Sequence, residues 1–272
     1  MTAVPTATGF DIGRVISRLF GVLGRNFAAF LMLALLLVGL PTAASSLLQL
    51  IGMLPAFANS GAAADPTGFN AVAFAFLPVS WLVGAMANAV LQGAVIHGAV
   101  SDLSGRKVTF GEALGTGLRF FLPLVGVGLI AAVCCFFGYL VFLVPGVLLA
   151  LAWSVAAPVA VAERTGVFGA FARSADLTRG HRGAIFALAI IAIVIGLIFQ
   201  GIATALVAVG AVSISSAGGP GLLNVVIVQA VTNLIAQTAN ALIGSAGVAS
   251  VYYELRYVKE GVGAQELASV FD

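Results

Sequence analysis

Four amides recur on one helical face late in this 272-residue chain: Gln229, Asn233, Gln237 and Asn240, at i, i+4, i+8 and i+11, with Thr232 alongside. A second polar set, Asn88, Gln92 and His97, accompanies the small-residue stripe Ala85, Ala89 and Gly93, and Gln200 stands apart from both. All of them interrupt apolar runs, where polar side chains are costly and read by default as functional. They could line a polar pathway or a substrate pocket between helices. They could equally supply interhelical hydrogen bonds and close packing, worth about 0.6–2 kcal/mol per contact. No acidic residue falls within the apolar runs that the chain would thread through a bilayer. Ion-coupled transporters usually bury a carboxylate there, so packing is the favoured reading and transport of a neutral or lipidic solute the alternative.

Nucleophilic chemistry has little to work with. The histidines are His97 and His181. Ser245, in Gly244-Ser245-Ala246-Gly247, would have to meet His97 as an intramembrane nucleophile and base. His97 lies five residues from its charged exit at Asp102 and Ser245 nine from Glu254. Their depths therefore differ by about 6 Å at the helical rise, which argues against the dyad. No glycine-rich phosphate loop, metal-binding His/Glu motif or dinucleotide fingerprint is present, so no cofactor and no metal are expected. Cys134 and Cys135 are adjacent within an apolar run and read as packing residues. The densest polar stretch is Glu163–Arg182. Its Arg173, Ser174, Thr178, Arg179, His181 and Arg182 could bind lipid phosphate, to which guanidinium pairs bidentately. Alternatively these cations only anchor the chain and snorkel.

Only 8% of residues are charged and 61% are hydrophobic, against roughly 25% charged in soluble domains. That excludes a water-soluble globular domain and intrinsic disorder. The 12 Lys and Arg fall in four clusters: Arg14/Arg18/Arg25, Arg106/Lys107/Arg119, Arg164/Arg173/Arg179/Arg182 and Arg256/Lys259. Between them, 26–101 carries only Asp65, and 120–162 and 183–253 carry no charge. A helix crosses the hydrocarbon core in about 20 residues, so each run holds two crossings. The sequence thus predicts an all-α integral membrane protein with six crossings, a single membrane domain over 1–272. The positive-inside rule puts every basic cluster and both termini on the cytoplasmic side.

The predicted order is an interfacial helix at 10–25, crossings at 27–49 and 71–98, an interfacial segment at 101–118, crossings at 119–141 and 145–162, an interfacial segment at 163–182, crossings at 183–209 and 222–251, and a cytoplasmic tail at 252–272. Outer loops are read at 55–69 and 213–221 from their Pro, Gly, Ser, Asn and Asp. In 10–25, Asp11, Arg14, Arg18 and Arg25 share one face, opposite Ile12, Val15, Ile16, Leu19 and Leu23. Pro41 predicts a kink, and Pro145 sits well in a first helical turn. The uncharged stretch before Asp11 lacks the parts of a cleavable signal peptide. The exits from the even-numbered crossings are alike. Asp102 and Glu254 are each followed by lysine after five residues and glycine after nine, and Glu163 opens the third exit.

Residues 143–188 resemble the glycerophosphoryl diester phosphodiesterase membrane-domain family through Val144-Pro145-Gly146, Trp153, Pro158, Glu163, Arg173-Ser174 and Leu177-Thr178-x-Gly180. The opening FDIGRVISRLFGVLGRNF and the close YYELRYVKEGVGAQEL are similar to bacterial members. Members often carry arginine before the tryptophan, where this chain has Ala152. In bifunctional relatives the hydrolase is a separate soluble barrel, a fold of about 250 residues, and here the crossings use nearly the whole length. The resemblance therefore implies a stand-alone membrane domain of the bacterial inner membrane, without the hydrolase. The expected function is non-catalytic, in lipid or envelope homeostasis or as a partner scaffold. Its partners would be membrane phospholipids and a protein partner or second copy, not nucleic acid.

Overall fold

The computed structural model describes residues 9–45, 71–103, 109–215 and 221–261. Among these residues the secondary structure is helical throughout, with no strand. The elements are α1 (Ile12–Arg25), α2 (Phe27–Ala34), α3 (Ala71–Leu103), α4 (Phe110–Arg119), α5 (Phe121–Val141), α6 (Leu143–Ala152), α7 (Ala156–Ala162), α8 (Gly166–Thr178), α9 (Arg182–Ser215) and α10 (Gly221–Glu260). Six described stretches are long and apolar enough to cross a membrane: Phe27–Ser45, Leu82–Asp102, Phe121–Val141, Leu143–Ala162, Arg182–Ile202 and Ile227–Glu260. The expected outer loop at 55–69 and the tail beyond 261 lie outside the described residues.

Local chemistry explains the helix ends. Asp11 caps α1, its carboxylate accepting from Gly13 N at 2.8 Å. Thr109 and Glu112 form a reciprocal capping box at α4. The helix that begins as α2 widens to a π turn over Leu35–Gly39 before running on to Ser45. Pro41 cannot donate to Leu37 O, so the carbonyl ladder loosens one turn ahead of the proline, where the sequence predicts a kink. Arg119 closes α4 rather than opening a crossing, and α5 starts after a break at Phe120. The fourth stretch is two helices, α6 and α7, parted at Trp153–Val155. The sixth continues past the expected end at 251, so Tyr252–Glu260 is helical and carries charge beyond the apolar part. At about 1.5 Å per residue its 40 residues reach about 60 Å, twice a hydrocarbon core.

Two buried clusters organise the packing. One joins Val22 of α1, Phe30 and Leu33 of α2, Leu91 to Val100 of α3, Ala113 of α4 and Leu242, Ala246 and Ala249 of α10. The other gathers Val127 of α5, Leu151 of α6, most of α7, Phe171 and Leu177 of α8, Ile185 of α9 and Tyr252 and Leu255 of α10. The short α7 sits at the centre, against α3, α5, α8 and α10. α5 and α6 form a tight hairpin through the single extended residue Phe142, with Gly138 and Gly146 backbone to backbone. α9 packs on α10 and α6 and leaves Ile190–Ile202 largely exposed.

The α3–α4 contact depends on one missing side chain. A Cβ at Gly117 would lie 2.4 Å from Val90 O, an atom that cannot move aside, whereas one at Gly115 would meet nothing within 4 Å. Gly117→Ala is expected to destabilise the fold by about 1–3 kcal/mol. Gly115→Ala, on the same helix, is expected to be neutral or to gain up to about 1 kcal/mol. Thermal unfolding of the two variants in detergent, side by side, checks the pair.

Candidate functional site

Among the described residues the charged side chains assemble into three nodes, each built on a carboxylate that follows the apolar stretch of α3, α6–α7 or α10. Asp102, at the end of α3, accepts from Arg25 of α1 at 2.9 Å (Nε) and 2.6 Å (Nη2). The bond holds the Arg25 guanidinium above its ordinary pKa. Glu254, on α10, is fully buried. It accepts from Arg14 Nε at 2.9 Å and from Arg14 Nη2 at 2.6 Å, and the Arg18 guanidinium closes on its other oxygen. Arg18 also lies over the Tyr253 ring, 4.7 Å from its centroid. The bond to Glu254 raises the Arg14 pKa.

The third node is larger. Glu163, just after α7, accepts from Arg173 Nε of α8 at 2.9 Å and from Tyr252 OH of α10 at 3.0 Å. Arg173 also pairs with Glu260, which in turn accepts from Arg256 Nε at 2.7 Å. Lys259 donates to Asp176 O at the end of α8. Burial alone would pull the Arg173 pKa down; its bonds to Glu163 and Glu260 outweigh that and hold it up.

Beside this node lies the break between α6 and α7. A helix interrupted in an apolar setting frees carbonyls that must find donors. Ser174 and Thr178 supply them, both hydroxyls donating to Ala152 O, at 2.8 and 3.3 Å. Trp153 packs against Phe171 in a tilted contact, 4.4 Å between centroids and 46° between planes. Ser174 and Thr178, two of the residues expected at lipid headgroups, are fully buried, and their hydroxyls are committed inside the fold. Arg173 is likewise held between two carboxylates. Of that expected set, Arg179 stays exposed and Arg182 half-buried, at the turn into α9 made by Gly180 at φ +89°. The Arg182 Nε and the His181 Nδ1 are buried without hydrogen-bond partners. His181 itself lies 6.0 Å from the Phe10 ring.

The amide stripe is not closed over. Gln229, Gln237 and Asn240 are exposed and Asn233 half-buried. Asn88 is exposed and turns onto its own helix, Nδ2 donating to Gly84 O at 2.9 Å, while Gln92 is half-buried. Gln200 is exposed on α9. Ser245 is buried on α10. His97 sits one turn beyond Gly93, whose bare face meets Gly117 and Leu124, so it lies on the side of α3 that receives α4 and α5. Sequence reasoning missed Arg14, Arg18 and Glu254 as partners. The one available signal was the likeness of the three crossing exits, each opened by an acidic residue.

Comparison of the chain with protein-family models, with curated proteins and with solved structures returns no match.

The Glu254 node is expected to behave as a buried charge whose partners matter more than the pair itself. Arg18→Met, which strips one cation from a carboxylate without water, is expected to cost at least about 2 kcal/mol. Adding Glu254→Met to Arg18→Met is expected to recover part of that loss, because the orphaned charge goes too. A double variant less stable than Arg18→Met in denaturant unfolding would contradict this account.

Proposed function

We propose that this is a non-catalytic multi-pass protein of the bacterial inner membrane that holds anionic phospholipid headgroups at its cytoplasmic face. In this reading it is a stand-alone relative of the membrane domains it resembles, serving lipid or envelope homeostasis. Several features support insertion. The apolar side chains of α5 and α9, among them Phe136, Leu140, Ile193 and Leu197, stand exposed in a density that water does not tolerate on a monomer. The charged nodes gather at the ends of α3, α7 and α10, the ends that the basic clusters assign to the cytoplasm.

The observation that carries the lipid reading is the division of cations. Carboxylates engage Arg14, Arg18, Arg25, Arg173 and Arg256. Arg119, Arg164, Arg179, Arg182 and Lys259 have no ion-pair partner among the described residues, and of these Arg179 and Arg182 stand together at one helix start. They flank the first turn of α9, where the N–H groups of Arg182, Gly183 and Ala184 lack helical acceptors and favour an anion. Guanidinium and free N–H groups together suit the phosphodiester of a lipid headgroup. A soluble phosphate would meet the same donors, but the apolar surface beside them favours a ligand with acyl chains.

Arg179→Gln/Arg182→Gln is expected to lower co-purifying phosphatidylglycerol and cardiolipin several-fold, read by native mass spectrometry, with the unfolding midpoint little changed. Arg173→Gln is expected to do the reverse, losing stability while keeping lipid. Equal lipid retention by the Arg179/Arg182 variant and the wild type would remove the basis of the proposal.

A further inference from the structure

We propose that the amide stripe of α10 is the interface through which two copies of this chain associate side by side in the membrane. The inference rests on the membrane reading above. The stripe runs Gln229, Asn233, Gln237, Asn240, Gly244, Gly247, with spacings of three and four residues. Its orientation follows from its neighbours. Leu234 and Thr238, one position on from Asn233 and Gln237, face Gly39 of the first crossing. Leu242, Ala246 and Ala249 enter the cluster shared with α3. Asn240 Oδ1 would stand 3.9 Å from a Cβ on Gly196 of α9. The stripe therefore occupies the flank of α10 between the first crossing and α9, turned away from α3, and it does not form a pathway with Asn88 and Gln92.

Exposed amides at this depth would face acyl chains, which offer neither donor nor acceptor. A single amide can answer itself, as Asn88 does on its own helix, but a row of four suits a polar partner, and the chemistry of the stripe selects a second copy. Two copies inserted in the same sense meet about a two-fold axis along the membrane normal, so each residue of α10 meets its own counterpart at the same depth. A carboxylate or a cation would repel itself there. An amide carries both an acceptor and two donors and can pair reciprocally with an identical amide. The glycines are a separate observation on the same face. Gly244 is exposed and Gly247 half-buried, and a Cβ on either would meet nothing within 4 Å. Packing inside the chain thus does not require glycine at these positions, although glycine is unfavourable in a helix. Close approach by a neighbouring helix backbone does require it.

The full-length chain, reconstituted in phosphatidylcholine vesicles, provides the test, with resistance to carbonate extraction measured first. Donor- and acceptor-labelled copies are mixed and energy transfer is followed against the protein-to-lipid ratio. Wild type is expected to saturate as a dimer. The variant Gln229→Leu/Asn233→Leu/Gln237→Leu/Asn240→Leu is expected to associate at least tenfold more weakly while remaining helical and carbonate-resistant; leucine suits a lipid-facing helix. In a background of Cys134→Ala and Cys135→Ala, Gly244→Cys is expected to give a disulfide-linked dimer. Ile235→Cys, exposed on another flank of α10, is expected not to. A monomeric wild type, or a leucine variant that associates as strongly as wild type, overturns the interface. So does rapid modification of Gln237→Cys by a membrane-impermeant thiol reagent, which would mark a water-lined path. Extraction by carbonate would instead overturn the membrane reading itself, and the interface with it.

Discussion

A carboxylate removed from water has to find its counter-charge inside the fold, and this requirement places most of the polar structure of the chain. Each even-numbered crossing ends on such a group: Asp102, Glu163 and Glu254. Each is met by an arginine from a short helix that is not itself a crossing, Arg25 and Arg14/Arg18 from α1 and Arg173 from α8. The short helices are therefore fixed by charge as well as by their apolar faces. A short helix held only by its apolar side could rotate or slide against its neighbours. α1 is pinned, because its basic residues pair with Glu254 and Asp102 while Val15 and Val22 enter the core. The link between α1 and α10 spans some 240 residues of sequence, so the first helix completes its contacts only once the last crossing is in place.

The same economy explains the motif between Trp153 and Gly180. Breaking a crossing into α6 and α7 exposes backbone, and Ser174 and Thr178 answer it at Ala152 O. They can do so because Arg173, one residue earlier, ties α8 to Glu163 directly below the break. The break lets α7, made mostly of alanine and valine, turn into the centre of the bundle, where larger side chains would not fit among α3, α5 and α8. Trp153, Glu163, Arg173, Ser174 and Thr178 thus belong to one mechanical unit: a broken helix, a cross-brace and two hydroxyls.

How much of this could be read from the chain depended on range. Hydropathy is local, and the six apolar helices emerged at nearly their observed positions. The break at Trp153–Val155 did not, because the apolar run continues through it, although Pro158, which cannot donate to Ser154 O, marks it from one turn further on. The donors that answer the freed Ala152 O lie twenty residues on, in Ser174 and Thr178. The face of α10 carrying the amides was legible from spacing alone, but spacing does not say which neighbour a face meets. That needed Leu234, Thr238 and Asn240 to be set against particular residues of other helices. The ion pairs were the least legible. Positive residues were read as topology signals, a reading that concerns sides of a membrane and says nothing about a carboxylate 77 or 240 positions away.

Polar groups in this fold therefore divide by whether the chain answers them itself. At the charged end it does so thoroughly: a buried glutamate has two guanidinium groups, a freed carbonyl has two hydroxyls, and a glutamate between helices has an arginine and a tyrosine. Evenly distributed loose ends would suggest a fold that is simply imperfect. Two groups of loose ends stand out here, the Arg179–Arg182 turn and the row of α10 amides. The first set is cationic and lies at the interface, where anionic headgroups are abundant. The second is neutral and self-complementary and lies within the apolar span, where the available polar surface is that of another protein helix. The physical demand is the same in both places. On the two proposals made above, the surroundings select a lipid for the one and a second copy of the chain for the other.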